Sequence, residues 1–134
     1  MERINKVLAR STDFSRREID KFIMEGRIRV DGKLLTTQGI KVSPSNKISI
    51  DETIIKIKKI TELNSLYIFH KPRGCLVTKS DDKNRKTVYD FLGPKQKNLL
   101  SIGRLDYNTE GLLLFTNNGE FKRKMELPKN NFER

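Results

Sequence analysis

The spacing of apolar residues near the N-terminus predicts a pair of short helices. Ile4 and Leu8 stand four residues apart, which places them on one face of a first helix. A second helix is predicted to begin at Ser15, because Ser15 and Glu18 have the spacing of a capping box, in which each side chain accepts a backbone N–H of the first turn. Gly26 is the predicted end of this helix, since glycine readily adopts the left-handed conformation that closes helices.

Beyond residue 26 the pattern changes from helical to alternating. Polar and apolar residues alternate over 27–30, and the dipeptide Asp31-Gly32 is typical of a tight hairpin turn. Further strands are predicted at 33–35, 47–50 and 53–58. The helix pair and these strands are expected to form one small unit that ends near residue 60.

A second unit is predicted from residue 61 to residue 134. The run 66–69 is short and apolar, which is typical of a buried strand, and the leucines at 112–114 are expected in the core. Strands are also predicted at 75–79, 99–102 and 112–116, and helices at 87–92 and 121–127. With so few strands, at least one sheet edge is expected to be open and apolar. The predicted fold class is α+β, with a small helical and hairpin unit followed by the first part of a mixed sheet.

The chain is strongly basic, with 28 Lys and Arg against 17 Asp and Glu and a net charge of +11. Such a field attracts nucleic acid or an anionic membrane surface. The longest apolar run, 112–115, is far shorter than the roughly 20 residues that span a bilayer, and no apolar signal segment begins the chain. We therefore expect a cytoplasmic protein that binds nucleic acid and does not contact a membrane.

Metal and disulfide chemistry are both disfavoured. Cys75 is the single cysteine, so no internal disulfide can form, and His70 is the single histidine. These two side chains are too few for a zinc site, and we expect no metal. Cys75 is interpreted as a small buried residue, and His70 is assigned no role.

Several basic residues near the N-terminus could hold phosphates. Arg16 and Arg17 lie in the first turn of the second predicted helix, where backbone N–H groups already attract anions. Arg27 and Arg29 lie on the hairpin that follows. Charge alone does not separate this hypothesis from an ordinary solvated helix face.

The order of motifs in this region resembles the S4 domain of ribosomal and RNA-modifying proteins. The resemblance covers about residues 3–50 and is carried by the helix pair, Ser-Arg-Arg-Glu at 15–18, Gly26-Arg27 and Val30-Asp31-Gly32. It implies that the first unit, residues 1–60, binds structured RNA. The residues expected to contact RNA in this unit are Arg3, Lys6, Arg16, Arg17, Lys21, Arg27 and Arg29.

A polar loop at 103–111 precedes the leucine run. Loop residues that follow a rigid strand are a favourable place for chemistry, because the strand positions them while they stay accessible. Arg104 stands two residues before Asp106 and could hold its carboxylate in the ionised form. Spacing alone favours a plainer alternative, in which Asp106 caps a turn and Arg104 forms a structural ion pair.

This loop and its surroundings resemble the catalytic signature of the S4-containing pseudouridine synthases that act on bacterial ribosomal RNA. The resemblance rests on Gly-Arg-Leu-Asp at 103–106, Thr109, Gly111, the leucine run, Thr116-Asn117 and Gly119, and on Lys-Pro-Arg-Gly at 71–74. It implies that Asp106 is the catalytic residue. The residues implied to support the active site are Arg104, Tyr107 and Thr109, and those implied to contact the RNA backbone are Lys71 and Arg73.

The reaction implied by the resemblance suits a carboxylate. Uridine must lose its N1–C1′ bond, turn, and rejoin the sugar through C5, and an ionised Asp106 can act as nucleophile or as base. No cofactor is expected, because the product is an isomer of the substrate. Tyr107 could stack on the unstacked base or could be an ordinary packing residue. Lys71 and Arg73 could likewise be solvated loop charges.

The expected partner is ribosomal RNA, and the segment 125–128 favours large-subunit RNA by resemblance. No obligate protein partner is expected, and the chain is expected to be monomeric. The family's catalytic domain continues past the position of residue 134, so we expect a fragment, a shortened version or the product of a decayed gene. An alternative hypothesis follows, in which the chain binds structured RNA but does not catalyse a reaction.

Overall fold

Two short helices and two small sheets form the first of two compact units, which span residues 1–60 and 61–134 and are called here the N-terminal and C-terminal units. The computed structural model describes residues 1–59 and 65–131. In the N-terminal unit, helices α1 (Ile4–Ser11) and α2 (Arg16–Met24) pack against each other. The predicted apolar faces are buried, and the helices contribute to the core Ile4, Val7, Leu8, Ile19, Phe22 and Ile23.

Local hydrogen bonds set both ends of α2. Oγ of Ser15 accepts from the backbone N of Glu18 at 3.2 Å, and the Glu18 carboxylate accepts from the backbone N of Ser15 at 2.7 Å. These two bonds confirm the predicted capping box. Gly26 has a φ of +70°, which confirms it as the left-handed residue that ends the helix.

Short antiparallel strands complete the N-terminal unit. In the described part of this unit they are β1 (Glu2–Arg3), β2 (Ile28–Val30), β3 (Lys33–Leu34), β4 (Lys41–Val42), β5 (Ile48–Ile50) and β6 (Thr53–Ile54). One sheet has the order β3-β2-β5-β6, and β1 pairs with β4. Asp31 and Gly32 both have positive φ, as the predicted two-residue hairpin turn between β2 and β3 requires.

The strand predicted at 53–58 is too long, because β6 ends at Ile54. After Ile55 the chain leaves the sheet and bonds to α1 instead. The backbone N of Lys58 donates to Oγ of Ser11 at 3.1 Å, and Nε of Arg10 donates to the Lys58 carbonyl at 3.1 Å. Alternating Ile and Lys residues therefore give a strand-like pattern in a segment whose partner is a helix end.

A buried polar contact joins the two helices. Asn5 is 8% exposed, and its Nδ2 donates to both carboxylate oxygens of Asp20 at 2.9 Å. Its Oδ1 accepts from Nη2 of Arg16 at 3.3 Å. Asn5 therefore fixes the alignment of α1 on α2 and also accepts a hydrogen bond from the guanidinium of Arg16.

We expect Asn5→Ala to lower the free energy of unfolding of the N-terminal unit by about 1 to 2 kcal/mol. The change removes a buried donor and leaves the Asp20 carboxylate without that partner at the helix interface. Urea unfolding followed by circular dichroism would measure the loss. Asn108→Ala, at an exposed position of the C-terminal unit, is the matched control, and equal stabilities for the two variants would contradict this role of Asn5.

The C-terminal unit is built on a three-stranded antiparallel sheet. Its strands are β7 (Leu66–Lys71), β8 (Leu100–Ile102) and β9 (Gly111–Thr116), in the order β7-β9-β8. Short 3-10 helices lie at Val88–Phe91, Pro94–Gln96 and Pro128–Asn130. One sheet face packs on a core of Cys75, Val77, Val88, Tyr89, Leu99, Leu113 and Phe115. This mixture of helix and strand confirms the predicted α+β class.

Helix α3 (Gly119–Glu126) begins two residues before its predicted start and contacts β8. Oδ1 of Asn118 accepts from the backbone N of Glu120 at 3.0 Å and from that of Phe121 at 3.1 Å. Asn118 is therefore the N-cap of α3, although the sequence reads as a turn at this point.

Strand β7 is not buried, in contrast to the prediction. Its register places Tyr67 and Phe69 opposite core residues of β9, so the alternate residues Leu66 and Ile68 point to the other face. Ile68 is 76% exposed, and Leu112 on the same face is 65% exposed. The leucine run is thus only partly core. Among the described residues β7 is an edge strand, which agrees with the expectation of an open apolar edge.

The strand predicted at 75–79 is also wrong. Cys75 and Val77 are buried as the apolar pattern suggests, but the segment pairs only through a single bridge from Leu76 to Thr87. The backbone of Leu76 donates to the Lys86 carbonyl at 2.9 Å and accepts from N of Val88 at 2.8 Å. Its hydrogen bonds therefore go to residues 86 and 88, where the 3-10 helix begins, and not to the sheet.

Candidate active site

The loop at 103–110 joins β8 to β9 and exposes the residues that the resemblance singles out. The side chains of Arg104, Asp106, Tyr107 and Thr109 are all exposed to solvent. Within the loop, the backbone N of Thr109 donates to the Asp106 carbonyl at 3.0 Å and closes a turn. The Asp106 carboxylate is thus presented on an ordered backbone, where a substrate can reach it.

Lys71 at the end of β7 holds this loop in place. Its side chain is fully buried, and Nζ donates to the carbonyls of Pro72 at 3.0 Å, Asp106 at 2.9 Å and Thr109 at 2.7 Å. The Tyr107 carbonyl lies at 3.4 Å. An ammonium has three donors, so all of them are engaged. The prediction that Lys71 contacts the RNA backbone is therefore wrong.

Gly74 provides a second attachment of the loop. Its backbone N donates to the Tyr107 carbonyl at 2.8 Å, and its φ is +80°. A Cβ at this position would lie 4.0 Å from Oη of Tyr107, so the tyrosine side chain extends along the glycine. The positive φ favours glycine here. The motif at 71–74 and the loop thus form one connected framework.

Arg104 does not hold the Asp106 carboxylate. Among residues 1–59 and 65–131, no ion pair joins Arg104 to Asp106, and both side chains are exposed. The plainer alternative is not found either, since the turn bond at Asp106 uses its carbonyl and not its carboxylate. Both side chains are therefore accessible to a bound substrate.

Arg73 remains a candidate for RNA contact. Its side chain is 70% exposed and forms only a loose ion pair with Glu110, with an N to O distance of 3.5 Å. Surface pairs of this kind contribute little to stability, so Arg73 can exchange Glu110 for a phosphate at little cost.

Sequence reasoning missed Arg85, which lies beside the loop. The Asp81 carboxylate accepts from the backbone N of Arg85 at 2.9 Å, from Nε at 3.2 Å and from Nη2 at 2.8 Å. The side-chain bonds from Arg85 lower the pKa of Asp81 to about 2. The bonds to Asp81, with a smaller contribution from nearby Tyr107, raise the pKa of Arg85. The spacing of Asp81 and Arg85, four residues apart, was the available signal.

Glu126 on α3 holds the start of the loop and was also missed. Its Oε1 accepts from the backbone N of Gly103 at 2.8 Å and from Nζ of Lys122. Lys122 also donates to the Ser101 carbonyl at 2.8 Å. The last turns of α3 therefore attach to both sides of the point where β8 becomes the loop.

The predicted basic face of the N-terminal unit is only partly available. Arg16, Arg17 and Lys21 are exposed on α2, and Arg29 is exposed on β2. Arg3 is exposed on β1, and Lys6 forms an ion pair with Glu2 at 3.1 Å.

Arg27 differs from these residues, because its guanidinium has partners in its own unit. It donates to Asp51 at 2.8 Å and to Glu25 at 3.2 Å, and it lies 3.9 Å from the centre of the Phe22 ring. It also lies beyond the C-terminal end of α2, whereas Arg16 is at the N-terminal end, and these two ends are about 12 Å apart along the helix axis. The structure therefore gives Arg27 a structural role and does not group it with Arg16.

The described ranges hold neither a cluster of metal ligands nor a membrane-spanning helix. There, no three His, Cys, Asp or Glu side chains cluster as a metal site would need. None of the described helices is long and apolar enough to cross a membrane.

Two family models match the chain. The model described as RNA pseudouridylate synthase matches residues 65–134, and the S4 domain model matches residues 2–48. A solved structure entitled "Crystal structure of pseudouridylate synthase" superposes with a TM-score of 0.51 and 24% sequence identity, covering 97% of this chain and 54% of that chain. This likeness shows the fold.

Curated relatives match along nearly the whole chain. Ribosomal large subunit pseudouridine synthase B of Bacillus subtilis (strain 168) is 42% identical over 129 residues, which cover 96% of this chain and 51% of the relative. An uncharacterized RNA pseudouridine synthase of Rickettsia felis is 38% identical over 134 residues, which cover 100% of this chain and 57% of the relative. The chain spans about half the length of the curated relatives it matches.

Proposed function

The chain belongs to the RNA pseudouridylate synthase family, as the sequence predicts, and from this membership we propose that it isomerises uridine to pseudouridine in ribosomal RNA with Asp106 as the catalytic carboxylate. The observation that carries the proposal is the Asp106 loop, whose carboxylate is exposed while the buried Lys71 ammonium holds the backbone at Asp106 and Thr109. A carboxylate that acts on a sugar or a base must be accessible to the substrate, and the backbone that carries it must be fixed in position.

The isomerisation assigns a limited set of tasks to the protein. The N1–C1′ bond breaks, the uracil turns, and a C5–C1′ bond forms, while the proton on C5 leaves and N1 gains one. Asp106 acts as nucleophile or as base in this sequence. Tyr107 is the proposed stacking partner for the unstacked uracil, because its side chain is 41% exposed next to Asp106. Arg104 and Thr109 are proposed to contact the same nucleotide.

The proposed substrate is large-subunit ribosomal RNA. Several curated relatives are named ribosomal large subunit pseudouridine synthase B, and they match 96% or more of this chain. The N-terminal unit is proposed to bind the RNA backbone through its basic residues. The residues proposed for this contact are Arg3, Lys6, Arg16, Arg17, Lys21 and Arg29, with Arg73 from the C-terminal unit.

A second candidate function is RNA binding without catalysis. It is favoured by one observation, the open apolar face of β7, where Ile68 is 76% exposed. Exposed apolar sheet surface of this kind is usually covered in a complete catalytic domain. The chain would then bind ribosomal RNA without forming a catalytic pocket.

One experiment separates the two functions. Unmodified large-subunit RNA is incubated with the chain or with Asp106→Asn, and pseudouridine is read as a carbodiimide-dependent primer-extension stop. We expect conversion by the parent alone. RNA binding without conversion by the parent would leave only the binding function.

We expect the double change Arg16→Ala with Arg17→Ala to weaken RNA binding about tenfold or more and to lower the slope of log K against log salt by about 2, one per lost phosphate contact. Filter binding between 50 and 200 mM salt would measure both quantities. Lys95→Ala with Lys97→Ala removes the same charge from exposed positions of the C-terminal unit and is the matched control. An unchanged slope would remove Arg16 and Arg17 from the RNA face.

A further inference from the structure

We propose that Arg85, braced by Asp81, binds an RNA phosphate next to the target uridine, and this inference rests on the proposed function. The pair lies in the segment 79–86, between the motif at 71–74 and the 3-10 helix at Val88–Phe91. Neither Asp81 nor Arg85 belongs to the loop at 103–110 that carries Asp106. The site would take a phosphodiester of the RNA backbone, and Arg85 would position the nucleotide without taking part in the reaction.

The geometry of the pair leaves a phosphate-binding edge free. Asp81 accepts from Nε and Nη2 of Arg85, so it occupies one edge of the guanidinium. An arginine has five N–H donors, and the edge formed by Nη1 and the second Nη2 hydrogen can bind two oxygens of a phosphate. Within the described ranges, the bonds of the Arg85 side chain are those to Asp81.

The two side chains of the pair differ in solvent exposure, as expected when a buried residue orients an exposed one that binds a ligand. The Asp81 side chain is 9% exposed, whereas the Arg85 side chain is 48% exposed. The carboxylate is therefore fixed in the fold, and the guanidinium that it orients faces solvent. A turn closed by the bond from the backbone N of Asn84 to the Asp81 carbonyl, at 3.1 Å, keeps the two residues together.

The pair is connected to the catalytic loop through the backbone. Lys86, next to Arg85, bonds through its carbonyl to the backbone N of Leu76. Two residues before Leu76, Gly74 bonds to the carbonyl of Tyr107. Arg85 is therefore held on the same framework as the loop residue that is proposed to stack on the base.

The local charge also favours an anion. The segment 79–86 carries the cations Lys79, Lys83, Arg85 and Lys86 against the anions Asp81 and Asp82, so four positive and two negative charges leave +2. Pairing with Asp81 thus does not make the segment neutral. The alternative is a purely structural ion pair that stabilises the turn, and such exposed pairs are common.

Binding of unmodified, transcribed large-subunit RNA distinguishes the two roles. We expect Arg85→Gln to raise Kd about tenfold and to lower the salt slope by about 1. Arg85→Lys keeps the charge but not the planar fork, so it should restore the slope and only part of the affinity. Lys95→Gln is the matched control and should bind within about twofold of the parent.

A Kd and salt slope equal to those of the parent in Arg85→Gln would overturn the phosphate site. Should Arg85→Gln fail to fold, as judged by its circular dichroism, a parent-like Kd for folded Arg85→Lys would overturn the role of the fork. The failure of the proposed function is distinguishable, since a parent that binds RNA without forming pseudouridine leaves this binding test intact. A parent that does not bind RNA would overturn both proposals.

Discussion

Asp106→Asn is expected to lower the formation of pseudouridine by at least about 10³-fold while leaving RNA affinity within about twofold. The change removes the ionised carboxylate that is proposed to act as nucleophile or base, and contributions of this kind to turnover are commonly about 10² to 10⁴-fold. The backbone of the loop should be preserved, because the Asp106 contacts with Lys71 and Thr109 use its carbonyl and not its side chain.

Single-turnover conversion of ribosomal RNA, followed by release of tritium from C5-labelled uridine, would measure this effect. Glu110→Gln is the matched control, since it removes one carboxylate from the same loop at a position that pairs only loosely with Arg73. We expect Glu110→Gln to retain turnover within about threefold. Comparable activity of Asp106→Asn and Glu110→Gln would exclude Asp106 as the catalytic carboxylate.

Elements that are determined by residues close together in the sequence could be predicted from it. Ser15 and Glu18 stand within one helical turn, so their reciprocal bonds follow from the sequence alone. The hairpin at Asp31-Gly32 was equally predictable, because few dipeptides accept two successive positive φ angles. Together these local signals gave the helix pair and hairpin of the N-terminal unit.

Burial in the C-terminal unit was less predictable. The apolar run at 66–69 shows that β7 has two apolar faces, but periodicity does not tell which faces are covered by another element. In the structure, Phe69 faces the core cluster and Ile68 faces solvent. The strand predicted at 75–79 was wrong for a related reason. The hydrogen-bond partners of this segment lie at 86–88, and tertiary structure brings them together.

Among the candidate site residues, the position of the loop was predictable and the role of the cations was not. The loop at 103–110 lies between β8 and β9 as expected. A lysine before Pro-Arg-Gly looks like a surface cation, yet the carbonyls that surround Lys71 belong to Asp106 and Thr109, 35 and 38 residues later. Contacts so distant in sequence leave no local pattern. The roles of Asp106, Arg104, Tyr107 and Thr109 stay predictions.

Lys71→Met is expected to destabilise the C-terminal unit by about 3 kcal/mol, the largest effect on stability that we expect. Methionine matches much of the lysine side chain in volume, but it donates no hydrogen bonds. The change therefore leaves the part-buried carbonyls of Pro72, Asp106 and Thr109 without the ammonium that now joins them, and losing hydrogen bonds to a charged group is costly. The substitution also removes the free-energy cost of burying the Lys71 charge, and this gain offsets part of the loss.

Hydrogen exchange measured by mass spectrometry would test this effect, because it reports on the C-terminal unit separately from the N-terminal unit. We expect exchange in Lys71→Met to accelerate first at the backbone amides of Gly74 and Thr109, whose bonds lie next to the lost ammonium. Lys95→Met makes the same chemical change at an exposed position and should exchange like the parent. Equal protection in the two variants would mean that the bonds from Lys71 do not hold the loop, and the exposed Asp106 carboxylate would then lack the fixed backbone from which its catalytic role is argued.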